Sequence, residues 1–268
     1  MTSCPELTYD CNFAKKAQTI MRIINKDIIH LKEISSTNDY LLKNNKEYEN
    51  GTVVVTESQT AGKGLGKNVW ESEKGKNLTL SILLKPGNIK SDEQFNLNMA
   101  TSLAIRKFIQ KFTTAKITVK WPNDIYAGNK KIAGILIKNF LYGSSIERSI
   151  IGIGININQE TFTGEAPNPI SLKQLTGKDH DLSHLLNELL QQLDVYYETL
   201  SNRYFEALNS EYYKHMYQLN EWHDYLIHGQ HVKGYIQGID EFGQLTLTDK
   251  QGRIYVCGLK DIEFLMNS

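Results

Sequence analysis

Apolar and polar residues alternate along several short stretches of the chain, and this two-residue period predicts β-strands. The clearest case is NLTLSILLKPG (77–87), where Leu78, Leu80, Ile82 and Leu84 alternate with other residues until Pro-Gly ends the run. The same alternation, or a high content of β-branched residues, predicts further strands over 28–34, 52–58, 116–121, 131–141 and 149–157.

Helical spacing of apolar residues predicts helices between these strands. SSTND (35–39) is rich in helix-capping residues, and the next twelve residues (40–51) resemble a short helix that ends at glycine. A longer helix is expected from Ser91, where Ser91 and Gln94 have the spacing of a capping box. The stretch from about Asp181 to Lys214 is also predicted to be helical, with a break near Ser201-Asn202.

The composition of the chain changes after about Asn220. Short β-like runs there are separated by the turns DEFG and DKQG. This pattern predicts a small β-barrel-like module of roughly 50 residues, near the lower size limit for independent folding. The chain as a whole is therefore predicted to be a mixed sheet with helices, followed by an all-β module.

The 268 residues include 30 basic and 30 acidic side chains, and this balance disfavours a general nucleic-acid binder. The three cysteines, Cys4, Cys11 and Cys257, show no CxxC spacing, so neither a disulfide framework nor a zinc site is expected. The N-terminus lacks the apolar core of a signal peptide, and no apolar run approaches the roughly 20 residues needed to span a bilayer. These features predict a cytoplasmic protein.

The stretch TAGKGLGKNVW (60–70) places glycines and lysines directly after a predicted strand. A Walker A loop would need a glycine at Ala61 and a hydroxyl at Asn68, and a dinucleotide fingerprint would need a glycine at Lys67. Neither motif fits. Glycine amides and lysine charges still suit an anion, although a solvated surface hairpin would have the same composition.

A second group of polar residues follows the strand KITVKW (116–121). Lys120 faces away from the apolar side chains of this strand, and Asn123 and Asp124 follow its carboxyl end, where open sheets tend to bind ligands. Taken singly, a strand lysine is usually a surface charge, and GIGININ (152–158) is typical of a buried strand with glycine bulges. These features are informative only in combination.

Four segments in this order resemble the biotin protein ligase family. They are SSTND (35–39), ESQTAGKGLGKNVW (57–70), KWPNDIY (120–126) with KKIAGIL (130–136), and GIGININ (152–158). The resemblance covers about residues 28–268. It implies an α+β fold, in which a mixed β-sheet flanked by helices is followed by a small SH3-like β-barrel. The implied domains are an N-terminal extension (1–26), a biotin/lipoate ligase-like catalytic domain (27–219) and an SH3-like domain (220–268).

The resemblance implies a two-step reaction. The biotin carboxylate attacks the α-phosphate of ATP to give biotinyl-5′-AMP, and a lysine of a biotin carboxyl carrier domain then accepts the biotinyl group. Because two anions must meet, cations have to offset their repulsion. By resemblance, Lys120 and Lys63 have this catalytic role, and Mg²⁺ bridges the ATP phosphates. Neither a protein metal site nor a nucleic-acid or membrane partner is expected, and family members often form homodimers.

The resemblance also assigns the residues that contact biotin and the nucleotide. The expected biotin-binding residues are Ser36, Thr37, Asn38, Gln59, Gly62, Lys63, Gly64, Leu65, Lys120, Gly152 and Gly154. The residues expected at ATP or the adenylate are Trp70, Asn123, Lys131 and Asn156. Because an acyl-adenylate hydrolyses readily, the glycine-lysine loop is expected to act as a lid that ligand orders.

The loop departs from the GRGRRGRxW pattern of bacterial members. Lys63 replaces an arginine and therefore lacks its bidentate fork, and Leu65 replaces the next arginine. We therefore expect the adenylate to be retained less tightly than in members with two loop arginines. The first 26 residues are too few for the DNA-binding domain of repressor-type members, which predicts a ligase alone.

Two other functions remain compatible with the sequence. Lipoate protein ligase belongs to the same superfamily and also forms an adenylate, although it usually lacks the KWPND run. A non-catalytic biotin-binding homologue is the second alternative, and the presence of Lys120 argues against it. His228 and His231 have HxxH spacing but no nearby cysteine, so they are expected to be a surface pair and not a metal site.

Overall fold

The computed structural model of the protein describes residues 23–24, 27–66, 68–164 and 168–265. A seven-stranded sheet forms its centre, in the order β1-β2-β3-β7-β6-β5-β4. The β1–β2 pair is parallel and every other neighbouring pair is antiparallel, so the sheet is mixed as expected. Its strands are β1 (Ile28–Leu31), β2 (Val53–Thr56), β3 (Leu78–Leu84), β4 (Ile117–Lys120), β5 (Asp124–Ala127), β6 (Lys130–Tyr142) and β7 (Ser145–Ile155).

Helices cover the sheet unequally on its two faces. The helices are α1 (Thr37–Asn44), α2 (Gln94–Gln110), α3 (Leu172–Thr176), α4 (Leu182–Ser201) and α5 (Phe205–Lys214). Leu80 and Ile82 of β3 point into the large core that contains α2 and α4. Leu83 of the same strand instead packs with Leu41 of α1 in a small cluster on the opposite face. That face is covered by α1 along only part of its length.

Most predicted elements are found, with corrections at their ends. The first helix starts at Thr37, capped by Ser36, and ends at Asn44 well before Gly51. The predicted capping box at Ser91 is wrong, because 91–93 form a 3-10 turn and the Lys90 backbone N–H donates to the Glu93 carboxylate over 2.9 Å.

Two differences lie between predicted elements. The strand β5 was not predicted, because only four residues separate Pro122-Asn123 from the turn at Gly128-Asn129. The predicted break near Ser201-Asn202 is confirmed, since α4 ends at Ser201 and α5 begins at Phe205.

The C-terminal part is a five-stranded antiparallel sheet in the order β11-β10-β9-β8-β12, which fits a small SH3-like module. Its strands are β8 (Trp222–Ile227), β9 (Gln230–Ile239), β10 (Leu245–Asp249), β11 (Ile254–Cys257) and β12 (Ile262–Phe264). Leu245 and Leu247 of this sheet share one hydrophobic core with the helices of the large sheet. The domain boundaries proposed from the sequence stay predictions.

The described helices include none that is both long and apolar enough to cross a membrane. Cys257 is buried and forms no disulfide within the described part of the chain. Cys4, Cys11 and Lys67, which entered the sequence-based expectations, lie outside the described residues.

Candidate active site

A cavity of about 530 Å³ opens on the face of the large sheet that α1 leaves uncovered. It forms because β3 and β7 carry small residues on this face. Ser81 of β3 pairs with Gly152 of β7, and Thr79 pairs with Gly154. The intervening isoleucines of β7, such as Ile153, point into the opposite core. The alternation IGIGI therefore builds a core on one side and a concave surface on the other.

The end of the cavity next to α1 is a network of polar side chains. Gln59 Oε1 accepts hydrogen bonds from Thr37 N (2.8 Å) and Thr37 Oγ1 (3.1 Å). Ser81 Oγ is buried and lies 2.7 Å from Thr37 Oγ1 and 2.6 Å from Asn38 Oδ1. A Cβ at Gly152 would lie 2.6 Å from the Asn38 amide, so only glycine leaves room for it.

The indole of Trp70 covers the middle of the cavity floor. A Cβ on Gly154 would overlap the ring, and one on Gly134 would lie 3.3 Å from its Cζ3 atom. Trp70 Nε1 is buried without a hydrogen-bond partner. Lys131 Nζ lies 6.0 Å from the centre of a Trp70 ring, at the edge of cation–π range. Gly134 of β6 and Gly154 of β7 therefore form a flat surface against which the Trp70 ring packs.

The glycine-lysine loop folds back on itself as a small hairpin above this floor. Gly64 N donates to Asn68 O (2.8 Å), and Trp70 N donates to Gly62 O (3.1 Å). Lys63 Nζ forms a 2.7 Å ion pair with Asp39 of α1. The loop cation therefore stands beside the polar end of the cavity and is tied to the helix.

A second ion pair lies at the far end of the cavity. Lys131 Nζ is 2.7 Å from Asp124 Oδ1, and both side chains are mostly buried. Asn123 Nδ2 donates to Ile135 O (2.8 Å), and Asn156 Nδ2 donates to Ile170 O (3.2 Å). These two amides fix the backbone around the pair, so the Lys131 side chain has a rigid support.

Glu71 connects the loop to the segment that follows β7. Its carboxylate accepts hydrogen bonds from Thr163 N (2.9 Å), Thr163 Oγ1 (3.1 Å) and Gly164 N (2.6 Å). Burial alone would raise the pKa of Glu71, but these bonds outweigh it and lower the pKa. The clamp holds Phe162 in the cavity wall.

Lys120 lies beside the cavity and not in its wall. Its ammonium donates a 3.1 Å hydrogen bond to Tyr126 Oη. It also lies 4.9 Å from the centre of the Tyr126 ring and 4.6 Å from that of Phe264. Burial lowers its pKa, an effect that Asp124 opposes and Lys131 reinforces. The ammonium therefore needs a side-chain rotation to reach a ligand in the cavity.

The structure brings most of the predicted residues together around one cavity. Those in its wall are Ser36, Thr37, Asn38, Gln59, Lys63, Gly64, Leu65, Trp70, Asn123, Lys131, Gly152, Gly154 and Asn156. The two predicted residues outside the wall are Lys120 and Gly62. Gly62 is buried against the loop, where a Cβ would lie 2.5 Å from Trp70 O.

Several residues that shape this cavity were not predicted from the sequence. Ser81 was visible as a polar position in the alternating run of β3, which is a signal for the uncovered face. Asp39 and Glu71 stand inside or beside recognised motifs, yet their partners are distant in sequence. No local pattern indicates those pairs.

The chain is similar to one family of known proteins. The model of the biotin/lipoate A/B protein ligase family matches residues 31–156. The bifunctional ligase/repressor BirA of Bacillus spizizenii is 33% identical over 173 residues, covering 63% of this chain and 53% of that protein. BirA of Salmonella typhimurium is 30% identical over 222 residues, covering 80% of this chain and 67% of that protein. The chain thus spans about half the length of the first of these relatives.

Solved structures give the same result for the fold. The biotin protein ligase of Aquifex aeolicus, in complex with biotin and ATP, superposes with a TM-score of 0.74 at 27% identity. The match covers 90% of this chain and 100% of that one. The segment matched by the family model, residues 31–156, contains the glycine-lysine loop, the KWPND turn and the paired strands that build the cavity. On this combined sequence and structural similarity, the chain belongs to the biotin/lipoate A/B protein ligase family.

Proposed function

We propose that the chain activates biotin with ATP as biotinyl-5′-AMP and transfers the biotinyl group to a lysine of a biotin carboxyl carrier domain. The observation that carries the proposal is that a buried polar network and the indole of Trp70, packed on glycines, lie side by side in the same cavity. The first suits the ureido group of biotin, and the second suits adenine. The Aquifex relative, whose structure contains biotin and ATP, supports the choice of these two ligands.

The charges of the site fit the joining of two anions. Lys63 and Lys131 lie at opposite ends of the cavity, each already paired with a carboxylate. Among the described lysines at or beside the cavity, Lys120 has no carboxylate partner within ion-pair distance, and its ammonium bonds to Tyr126 Oη instead. We assign to Lys120 the role of contacting the biotin carboxylate and the α-phosphate, because stabilising charge in the transition state needs a cation free to approach it.

We expect ATP to enter as its Mg²⁺ complex. Mg²⁺ keeps several waters and is usually held by substrate phosphates with few protein carboxylates. Of the cavity carboxylates, Asp124 is paired with Lys131, and Glu71 accepts backbone hydrogen bonds. The metal would therefore be carried by the phosphates and water, where it would neutralise the departing pyrophosphate.

A substrate comparison tests the proposal. The protein would be incubated with ATP, an acceptor domain and either biotin or lipoate, with pyrophosphate release and acceptor labelling measured separately. We expect both signals with biotin and neither with lipoate. Labelling with lipoate would identify a lipoate ligase, and biotin binding without pyrophosphate release would identify a non-catalytic binding protein.

The role of Lys120 has its own test. Lys120→Gln removes the ammonium, and we expect biotin-dependent pyrophosphate release to fall by about 10²-fold or more, a much larger loss than the loss of biotin affinity. Lys138→Gln is the matched control, because Lys138 is an exposed lysine on β6 that also lies near an aromatic ring, Phe140 (5.9 Å). Wild-type rates in folded Lys120→Gln protein would remove Lys120 from the mechanism.

A further inference from the structure

The ammonium of Lys120 rests between two aromatic rings that belong to different sheets. Tyr126 lies on β5 of the large sheet, and Phe264 lies on β12 of the C-terminal sheet. The Phe264 ring centre is the nearer of the two, at 4.6 Å against 4.9 Å. We call these two rings the aromatic seat. Phe264 contributes no hydrogen bond to the ammonium, so its contribution is the negative face of its ring.

The aromatic seat is supported from behind by further rings. Tyr217 packs against Tyr126 at 5.2 Å between centres and against Phe264 at 6.4 Å. Tyr225 of β8 meets Phe264 edge-on at 5.4 Å, and the two residues are paired across the β8–β12 ladder. The position of Phe264 is therefore fixed by packing and by backbone pairing together.

The C-terminal sheet contacts two consecutive residues of the KWPND run. Phe264 lies over the ammonium of Lys120, and Trp121 Nε1 donates a buried 2.9 Å hydrogen bond to Gly243 O in the β9–β10 turn. Lys120 is the last residue of β4, and Trp121 begins the turn that follows it. The C-terminal sheet therefore contacts the end of β4 at two consecutive residues.

We propose that Phe264 is a positioning residue of the activation step, whose ring holds the Lys120 ammonium in its charged form at the edge of the cavity. This inference rests on the proposed function, because it gives Lys120 the role assigned above. The C-terminal sheet thereby contributes to the chemistry without contacting biotin or ATP. The anionic reactants draw the ammonium from the aromatic seat into the cavity, where their charge exceeds that of a ring face.

The electrostatic surroundings of Lys120 make the contribution of Phe264 measurable. Burial lowers the pKa of Lys120, Asp124 raises it and Lys131 lowers it. The tyrosines around it stay neutral over the range in which it titrates, since burial raises the pKa values of Tyr126, Tyr217 and Tyr225. A ring face favours the ammonium over the neutral amine.

The sign of the effect follows from these contributions. Removing the ring of Phe264 while keeping an apolar side chain retains the burial and loses the stabilisation of the charged form. The pKa of Lys120 then falls further below its ordinary value. Activity that needs the ammonium is lost as pH rises through that pKa, so the alkaline limb of the pH profile moves to lower pH.

The experiment compares Phe264→Leu and Phe264→Tyr with the wild-type full chain. We expect Phe264→Leu to move the alkaline limb of kcat for biotin-dependent pyrophosphate exchange down by about half to one pH unit. The KM for biotin should change less than about twofold, since the ring does not line the cavity. Phe264→Tyr keeps a ring face and should restore the wild-type limb. Phe242→Leu is the control, because Phe242 is an exposed phenylalanine in the turn between β9 and β10.

A spectroscopic measurement decides the matter without relying on activity. In protein labelled at lysine ¹³Cε, the Lys120 signal is assigned by its loss in Lys120→Gln. We expect this signal to show a ring-current shift and to titrate at lower pH in Phe264→Leu. Absence of the ring-current shift in the wild type overturns the proposal even if Phe264→Leu does not fold. An unmoved midpoint in a folded variant also overturns it. A wild type that titrates as expected but lacks exchange activity contradicts the proposed function and leaves the aromatic seat standing.

Discussion

Ser81 makes an indirect contribution to ligand binding at the residue scale. Its hydroxyl touches Thr37 and Asn38, although Ser81 itself is not in the cavity wall. We expect Ser81→Ala to weaken biotin binding by roughly three- to tenfold, because two ligand-facing side chains lose a shared partner. Isothermal titration with biotin measures the change.

Ser149→Ala is the matched control for Ser81→Ala. Ser149 is equally buried and bonds to Asn139 Oδ1 (2.7 Å), but it does not line the cavity. It should lower thermal stability without changing biotin affinity. Equal effects of the two variants on affinity would show that Ser81 acts only through overall stability.

Substitutions at Gly154 and Gly134 test, to different degrees, how the Trp70 ring packs against the sheet. An added Cβ at Gly154 overlaps the Trp70 ring, whereas one at Gly134 lies 3.3 Å from it. We expect Gly154→Ala to weaken binding of a non-hydrolysable biotinyl-adenylate analogue by about tenfold or more, and Gly134→Ala by about twofold. Calorimetry checks both. A larger loss in Gly134→Ala would contradict the position of Trp70.

The glycine-lysine loop places one charged and one apolar side chain at the cavity. Lys63 forms an ion pair with Asp39, and Leu65 lies in the cavity wall. We predict that Leu65→Arg slows release of bound biotinyl-adenylate by about fivefold or more, because a second cation would contact an anionic ligand. Leu141→Arg, at an exposed position outside the cavity wall, is the control.

A release assay in rapid-dilution format measures this difference. If Leu65→Arg and the wild type released the adenylate at the same rate, a cation at position 65 would not contribute to its retention by the loop. A slower release in Leu141→Arg would instead indicate a general effect of added charge.

Secondary structure was predictable where its cause is local. Alternation along β3 and the capping residue Ser36 follow from neighbouring residues, so both could be predicted. The short strand β5 could not, because four residues carry too little pattern and its strand geometry comes from pairing with β4 and β6. The helix start near Ser91 was placed wrongly because Glu93, not Ser91, satisfies the first backbone donor.

At the scale of the whole molecule, we expect the stability of the fold to depend on pH through His215. This residue lies between α5 and the strand β4. Burial lowers the pKa of His215 from 6.5 to about 4, with the charges of Arg106 and Lys214 adding to the effect and Glu211 opposing it. Between pH 6.5 and about 4, the unfolded chain therefore binds a proton at this histidine that the folded chain does not bind. Stability from this group is complete above pH 6.5 and is lost as pH falls towards 4.

We expect His215→Gln to flatten this loss. Urea midpoints measured between pH 7 and about 4 should fall less steeply in the variant than in the wild type. His228→Gln is the control, because His228 is an exposed histidine in the turn between β8 and β9. Parallel slopes for His215→Gln and the wild type would show that His215 is not buried as a neutral ring.

The sequence by itself determined the class of fold, the family and the segments that meet at the site. Motifs and strand alternation are local properties, and they placed Ser36, Gln59, Trp70 and Lys131 around one ligand site. Only the tertiary structure determined which groups the charged side chains contact. The pairing of Lys63 with Asp39, and the rest position of Lys120 on a ring from the far end of the chain, arise because folding brings distant residues to within a few ångströms.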